Sequence, residues 1–221
     1  MISRGYRQSQ GDHTLFIKHS QEGKLTLLLV YVDDMIVAED DEHEKQILKE
    51  KLVAQFEMKD LGKLKYFLGI EVSYSKKGIF ISQRKDVIDL LKETGMINCK
   101  TTGVPIEQTH RIESDEGSST VNKGQYQSLV GKLIYLAHTR PDIAYVVSVV
   151  SQFMHDPRER HLQAINKILE YLKKSPRRGL LFKRNEKLIM EVYTDADYVG
   201  SIIDRKSTSG YCMFLGGNLV T

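Results

Sequence analysis

Leu25-Thr26-Leu27-Leu28-Leu29-Val30-Tyr31-Val32-Asp33-Asp34-Met35-Ile36-Val37-Ala38 is the stretch that decides the fold. It reads as two apolar strands around an Asp-Asp pair. Both faces of each strand are apolar, which predicts a central hairpin covered on both sides. Local propensity does not select two carboxylates for the tip, because a relaxed two-residue turn prefers Asn-Gly. At about 5 Å and an effective dielectric of ~20, their repulsion is roughly 3 kcal/mol. The nearest bases in sequence are Lys24 and Lys45. A divalent cation would remove that repulsion. Magnesium takes hard oxygen ligands and commonly needs only one or two protein carboxylates beside phosphates. The alternative is a solvated acidic turn.

Outward from the hairpin, Glu39-Asp40-Asp41-Glu42 opens a helix to about Phe56, with Ile47, Leu48, Leu52, Val53 and Phe56 as its apolar stripe. Carboxylates favour the positive end of a helix, so this cluster has a structural explanation and is not nominated for a metal. Upstream, Thr14-Leu15-Phe16-Ile17 reads as a strand. Downstream, strands are expected at Leu64–Val72 and Ile79–Ser82 and a helix over Arg84–Thr94, followed by a polar linker at about 100–124. Three helices follow, at Tyr126–Ala137, Asp142–Met154 and Arg158–Lys173; the last carries a clean 3.6-residue period in Leu162, Ile165, Ile168, Leu169 and Leu172. Strands return at Gly179–Phe182, Leu188–Thr194 and Gly210–Leu215.

Composition fits this order. The 221 residues are 41% hydrophobic and 28% charged with a mean hydropathy of −0.34, which argues against a disordered chain. The longest apolar run, Leu27–Val32, is far short of the ~20 residues of a spanning helix. With no secretory signal and only Cys99 and Cys212, the expectation is an intracellular chain with free thiols and no membrane. The net charge of +3 conceals two opposed regions: residues 33–60 hold ten acids against four lysines, and residues 158–187 hold ten bases against three acids. The first could gather divalent cations, and the second could follow a phosphate backbone; solvated helix faces are the competing explanation. His155 and His161 flank a helix boundary without a carboxylate–histidine motif and are not assigned as ligands.

Leu29-Val30-Tyr31-Val32-Asp33-Asp34 resembles the catalytic hairpin of reverse transcriptases. Phe56-Glu57-Met58-Lys59-Asp60-Leu61-Gly62 and Tyr66-Phe67-Leu68-Gly69-Ile70-Glu71-Val72 are similar to the Ty1/copia-type retrotransposon polymerase in particular. The likeness continues through Leu129-Val130-Gly131-Lys132-Leu133, Thr139-Arg140-Pro141-Asp142-Ile143-Ala144 and Tyr193-Thr194-Asp195-Ala196-Asp197 to Asp204-Arg205-Lys206-Ser207-Thr208-Ser209-Gly210-Tyr211, in family order over essentially the whole chain.

The resemblance implies an α+β chain in three parts. Residues 1–83 would be the distal part of a polymerase palm, an antiparallel sheet with helices. Residues 84–176 would be a helical thumb and connection, and residues 177–221 the first strands of a ribonuclease H-like domain. Asp33 and Asp34 would bind Mg²⁺ or Mn²⁺, with Tyr31 beside the primer end. Phe67, Leu68 and Gly69 would lie in the primer grip. Lys167, Lys173, Lys174, Arg177 and Arg178 would face the RNA or DNA template–primer duplex. Asp195 would be the first metal-binding aspartate of the ribonuclease H site, with Asp197 in a supporting position. The family usually has Trp after Asp197 and after His161, where this chain has Tyr198 and Leu162.

Both ends read as cut: Gly5-Tyr6-Arg7-Gln8-Ser9 enters a strand without a cap, and Gly217-Asn218-Leu219-Val220-Thr221 stops just after one. The polymerase site of the family needs a further aspartate from an earlier strand, and the ribonuclease H site needs more carboxylates than Asp195, Asp197 and Asp204. The expectation is therefore a part of a Pol polyprotein, inactive alone, whose partners in the full enzyme are deoxynucleotides, the duplex and the rest of the polyprotein. A non-catalytic nucleic-acid-binding module and a degenerate transposon remnant are the alternatives.

Overall fold

Alternating apolar residues build an antiparallel meander at the start of the chain: β1 (Arg7–Gln8), β2 (Leu15–His19), β3 (Leu25–Tyr31) and β4 (Asp34–Glu39), in that spatial order. The computed structural model describes every residue except Met1, Ser3, Arg4, Gln21, residues 107–118, Glu186, residues 198–207 and Thr221. It divides into two compact units, Met1–Leu64 and Lys65–Thr221. All strand pairs in both are antiparallel, and helices pack beside them, which makes the chain α+β. The acidic segment of the linker expected at 100–124 lies outside the described residues.

In the first unit, α1 (Glu42–Gln55) begins at Asp41, whose carboxylate accepts the backbone N–H groups of His43 (3.1 Å) and Glu44 (3.3 Å). The acidic cluster is thus a helix start, as its sequence suggests. Leu48 and Leu52 bury against Leu28 and Tyr6, while Val53 and Phe56 are exposed, so the apolar stripe is narrower than periodicity predicts. The hairpin also departs from expectation. Its first strand is central, but among the described residues β4 pairs with β3 alone and stands at the sheet edge. In β3, Thr26 and Leu28 are buried under α1, whereas Leu25, Leu27 and Leu29 on the other face are only half-buried. One helix covers one face, and the second apolar face stays partly open.

Among the described residues the second unit is built on four helices: α2 (Arg84–Glu93), α3 (Lys123–Ala137), α4 (Ala144–Ser151, after a 3₁₀ turn at Pro141–Ile143) and α5 (Glu159–Lys174). Their inward faces form one continuous core around Leu91, Leu133, Val150, Ile165 and Leu169. The run read as one strand at Leu64–Val72 is instead a tight hairpin, β5 (Tyr66–Phe67) and β6 (Ile70–Ser75), with Leu68-Gly69 as its loop. β7 (Gly78–Ser82) follows, and β8 (Gly179–Phe182), almost 100 residues later, completes the sheet in the order β5-β6-β7-β8. Gly179 is required there, since a Cβ would fall 2.1 Å from the Ile81 carbonyl oxygen. A separate sheet contains β9 (Met190–Asp197), β10 (Thr208–Leu215) and β11 (Asn218–Leu219).

Arg140 closes the helical unit. Its side chain is 1% exposed. It grips Asp142 through Nε to Oδ1 and Nη2 to Oδ2, both 2.9 Å, and reaches the Ser175 carbonyl (3.0 Å) and hydroxyl (3.2 Å) just beyond α5. Tyr171 donates to Asp142 Oδ2 (2.7 Å), and Arg178 donates to both Asp142 (3.0 Å) and Tyr171 (2.7 Å). Burial alone would push the Asp142 carboxyl up, but Arg140, Tyr171 and Arg178 together outweigh it and hold the group well below the usual carboxylate range. At the start of α5, His161 lies stacked on Phe153, with ring centroids 3.9 Å apart, and its Nδ1 accepts the Arg158 backbone N–H (3.0 Å). Burial pushes this imidazole down, against the opposing pull of Asp156.

These two groups predict the acid response of the fold. Both have folded pKa values depressed below their unfolded ones, so each contributes stability above its unfolded value and loses it as pH falls. His161 weakens the fold below about pH 6.5. Asp142 does so below about pH 4. Urea unfolding across pH should show both declines, with Asp142→Asn flattening the lower one and His161→Gln the upper; an unaltered profile in either variant contradicts the assignment. Arg140→Met should destabilise by an amount near the lower end of roughly 3–5 kcal/mol, since Arg178 still partners Asp142.

Candidate metal and nucleic-acid site

Strand register sets the geometry of the carboxylate tip. Leu29 pairs with Ile36, Val30 with Met35 and Tyr31 with Asp34, which leaves Val32-Asp33 as the two-residue loop. The reading of Asp33-Asp34 as the loop itself is thus displaced by one residue: Asp34 is the first residue of β4. Val32 takes a left-handed φ of 50°, a conformation that a β-branched side chain rarely adopts and that glycine favours at the first position of such a loop. Its side chain is 82% exposed, so burial does little to offset that strain. Local sequence preference therefore does not explain the tip. The signal for it was already in the strands, because pairing their apolar residues forces this loop.

Tyr31, Asp33 and Asp34 are exposed side by side. Both sequence-nearest bases are engaged elsewhere: Lys24 pairs with Glu22 (2.8 Å), and Lys45 pairs with Glu39 (2.7 Å) and Glu42 (3.1 Å). Among the described residues, no group of three His, Cys, Asp or Glu side chains is placed to hold a metal. Two adjacent hard-oxygen donors open to solvent nonetheless suit Mg²⁺, which keeps several waters and shares its shell with substrate phosphates.

In the second unit, Phe67, Leu68 and Gly69 surround the β5–β6 turn, where Leu68 (φ 49°) and Gly69 (φ 82°) are both left-handed. Leu68 is exposed, and so is Tyr66 at the start of the hairpin. The five basic residues at and after α5 are not equivalent. Lys173 donates from Nζ to the Cys99 carbonyl, and Arg178 belongs to the Asp142 network, so both have structural work. Lys174 and Arg177 are exposed, while Lys167 is half-buried. Arg140 and Asp142 carry only a family likeness in the sequence; an Arg-Pro-Asp run reads as surface charge, and long-range packing is what buries Arg140. The groove between α2 and α3, about 510 Å³, is walled by Asp86, Asp89 and Glu93, which disfavour a phosphate there.

Asp195 lies on β9 opposite Gly210 of β10, exposed, on the strand face that also carries Glu191 and Tyr193. Asp197 is paired with Thr208. Tyr198 and Asp204 lie outside the described residues. Among the described residues no helix is long and apolar enough to cross a membrane.

A family model described as reverse transcriptase (RNA-dependent DNA polymerase) matches residues 1–108. The chain is 39% identical over 217 residues to the retrovirus-related Pol polyprotein from transposon RE1 of Arabidopsis thaliana, covering 98% of this chain and 15% of that protein. It is 33% identical over 230 residues to the Pol polyprotein from transposon TNT 1-94 of Nicotiana tabacum, covering 100% and 17%. An uncharacterized mitochondrial protein of Arabidopsis thaliana is 36% identical over 197 residues, covering 88% of this chain and 80% of that one. The chain thus spans about one-sixth of the Pol polyproteins it matches. No solved structure matches it. A hairpin with two exposed carboxylates, followed in family order by the matching segments over nearly the whole chain, places it: the chain belongs to the reverse transcriptase family of Ty1/copia-type retrotransposon Pol polyproteins.

Proposed function

We propose that this chain supplies one carboxylate-bearing part of a template-directed DNA polymerase. Residues 1–83 act as distal palm, residues 84–176 as thumb and connection, and residues 177–221 as the beginning of a ribonuclease H-like domain. The observation that carries this reading is the β3–β4 tip, where an unfavourable φ at Val32 presents Asp33 and Asp34 to solvent with no base beside them in sequence left unengaged. Asp33 and Asp34 would hold Mg²⁺ or Mn²⁺. The ion would lower the charge on a deoxynucleoside triphosphate and so favour attack by a primer 3′-hydroxyl on its α-phosphate, with pyrophosphate leaving. The protein's own part is to fix two carboxylates at a rigid turn, with Tyr31 packing beside the primer terminus.

The duplex would be held by sequence-independent attraction to Lys174, Arg177 and Lys167, which follow a phosphate backbone, while Lys173 and Arg178 mainly hold the fold. Phe67, Leu68 and Gly69 would support the primer strand. Asp195 would serve a ribonuclease H site whose further carboxylates come from elsewhere in the polyprotein. A third palm aspartate is likewise assigned to another part of the polyprotein, so deoxynucleotide addition is proposed for the assembled enzyme and not for this chain. The uneven charge also suits a second reading, a binding module without catalysis.

Two experiments test these statements. Primer extension on an RNA template with Mg²⁺, then Mn²⁺, should give no incorporation by the chain alone; robust incorporation lost in Asp33→Asn contradicts the proposed division of the site. Duplex binding followed by anisotropy should weaken steeply with salt. Lys174→Glu with Arg177→Glu should reduce affinity at least tenfold at low salt and make the salt slope shallower. Unchanged binding in that variant removes the proposed duplex surface. If Asp33→Asn alters metal-dependent binding of a recessed primer end, the polymerase reading is favoured over the plain binding module.

A further inference from the structure

The β5–β6 turn is a poor candidate for self-stabilisation. β5 has two residues, and the loop places a non-glycine residue, Leu68, in the left-handed region. β6 is anchored by its pairing with β7, while the two-residue β5 at the sheet edge needs further support. That support comes from α3 and the residues just past its end, by two routes. The Tyr135 hydroxyl, in the last turns of α3, donates to the Leu68 carbonyl oxygen. The second route runs through buried polar groups: Thr139, just past the end of α3, donates to Gln83 Oε1 (2.8 Å), and Gln83 Nε2 donates to Asp86 Oδ2 (3.1 Å). Thr139 and Gln83 are both buried, so this connection is shielded from water. Asp86 Oδ2 then sits 2.7 Å from where a Cβ on Gly69 would lie, with a Tyr135 ring carbon 3.5 Å from the same point. The carboxylate and the ring occupy the space that any side chain at position 69 would need.

We infer that Tyr135 is a positioning residue for the primer-side turn, acting with the Thr139-Gln83-Asp86 relay as a latch that ties Leu68-Gly69 to the end of α3. This inference rests on the assignment of the turn to the primer side in the proposed function. One arm starts on α3 and the other at Thr139, two residues past its last residue, so the turn is held in fixed relation to the end of α3, with Leu68 and Tyr66 exposed at its surface. The relay explains two features at once. Gly69 is needed for its φ and for the space taken by Asp86. Buried Gln83 and Thr139, which a plain helix junction would replace with apolar residues, are kept as mutual partners.

The test uses the chain itself with Tyr135→Phe, which removes only the hydroxyl, and Asp86→Asn, which preserves volume and an acceptor oxygen. Hydrogen exchange should quicken at least tenfold at the Leu68–Ile70 amides in Tyr135→Phe, with the α3 interior amides unchanged. Asp86→Asn should retain most of the protection. Anisotropy against an RNA–DNA duplex with a recessed primer 3′ end and against a blunt duplex of the same length should show the end preference falling at least fivefold in Tyr135→Phe, with blunt-duplex affinity unchanged. Unaltered exchange at the turn overturns the latch. Faster exchange with an unaltered end preference overturns its positioning role. If the unsubstituted chain binds neither duplex, the proposed function fails instead, and the exchange rates alone decide the latch.

Discussion

One buried guanidinium organises the larger unit. Arg140 spends its donors on Asp142 and on the backbone and hydroxyl of Ser175, so it joins the turn after α3 to the end of α5. A charge so fully removed from water is tolerable only because a bidentate carboxylate and two further acceptors meet it. Tyr171 and Arg178 complete the cluster around Asp142, and β8 begins with the residue after Arg178. The strand that completes the β5-β6-β7-β8 sheet therefore leaves directly from this ion cluster. The ion cluster thus sits at the junction of the helical core and the sheet.

The same junction bears on function. Thr139 precedes Arg140 in sequence and starts the relay through Gln83 to Asp86 and the Leu68-Gly69 turn. Adjacent residues thus serve two tasks, one closing the bundle and the other holding a surface turn. A substitution at position 140 would disturb both, whereas one at Tyr135 separates them.

Much of this was legible in the sequence. The period of α5, the helix start in the acidic cluster Glu39-Asp40-Asp41-Glu42 and the β3–β4 hairpin all rest on local patterns, and local patterns survive translation into structure. What escaped depends on contacts between distant residues. The pairing of β7 with β8 joins segments about 100 residues apart, and no periodicity announces it. The Leu68-Gly69 loop lacks the Asn-Gly or Asp-Gly signature of its turn class, because the helices beneath it supply the support that sequence would otherwise provide. Lys173 and Arg178 read as cations for a phosphate backbone, yet a backbone carbonyl and the Asp142 carboxylate claim them. At the tip the hairpin falls where the apolar pattern puts it, and the loop lies one position earlier than the Asp-Asp pair, because apolar register outranks the preference of Asp for turns.

The central claim is that Asp33 and Asp34 form a divalent-metal site on the β3–β4 tip. Substoichiometric Mn²⁺ added to isotope-labelled protein, with backbone resonances followed by NMR, tests it most directly. The account predicts that signals of residues 31–35 broaden first, that Mg²⁺ in excess restores them, and that Asp33→Asn with Asp34→Asn abolishes the effect. Broadening centred on Asp41 and Glu42, or spread evenly over the acidic residues, would contradict it.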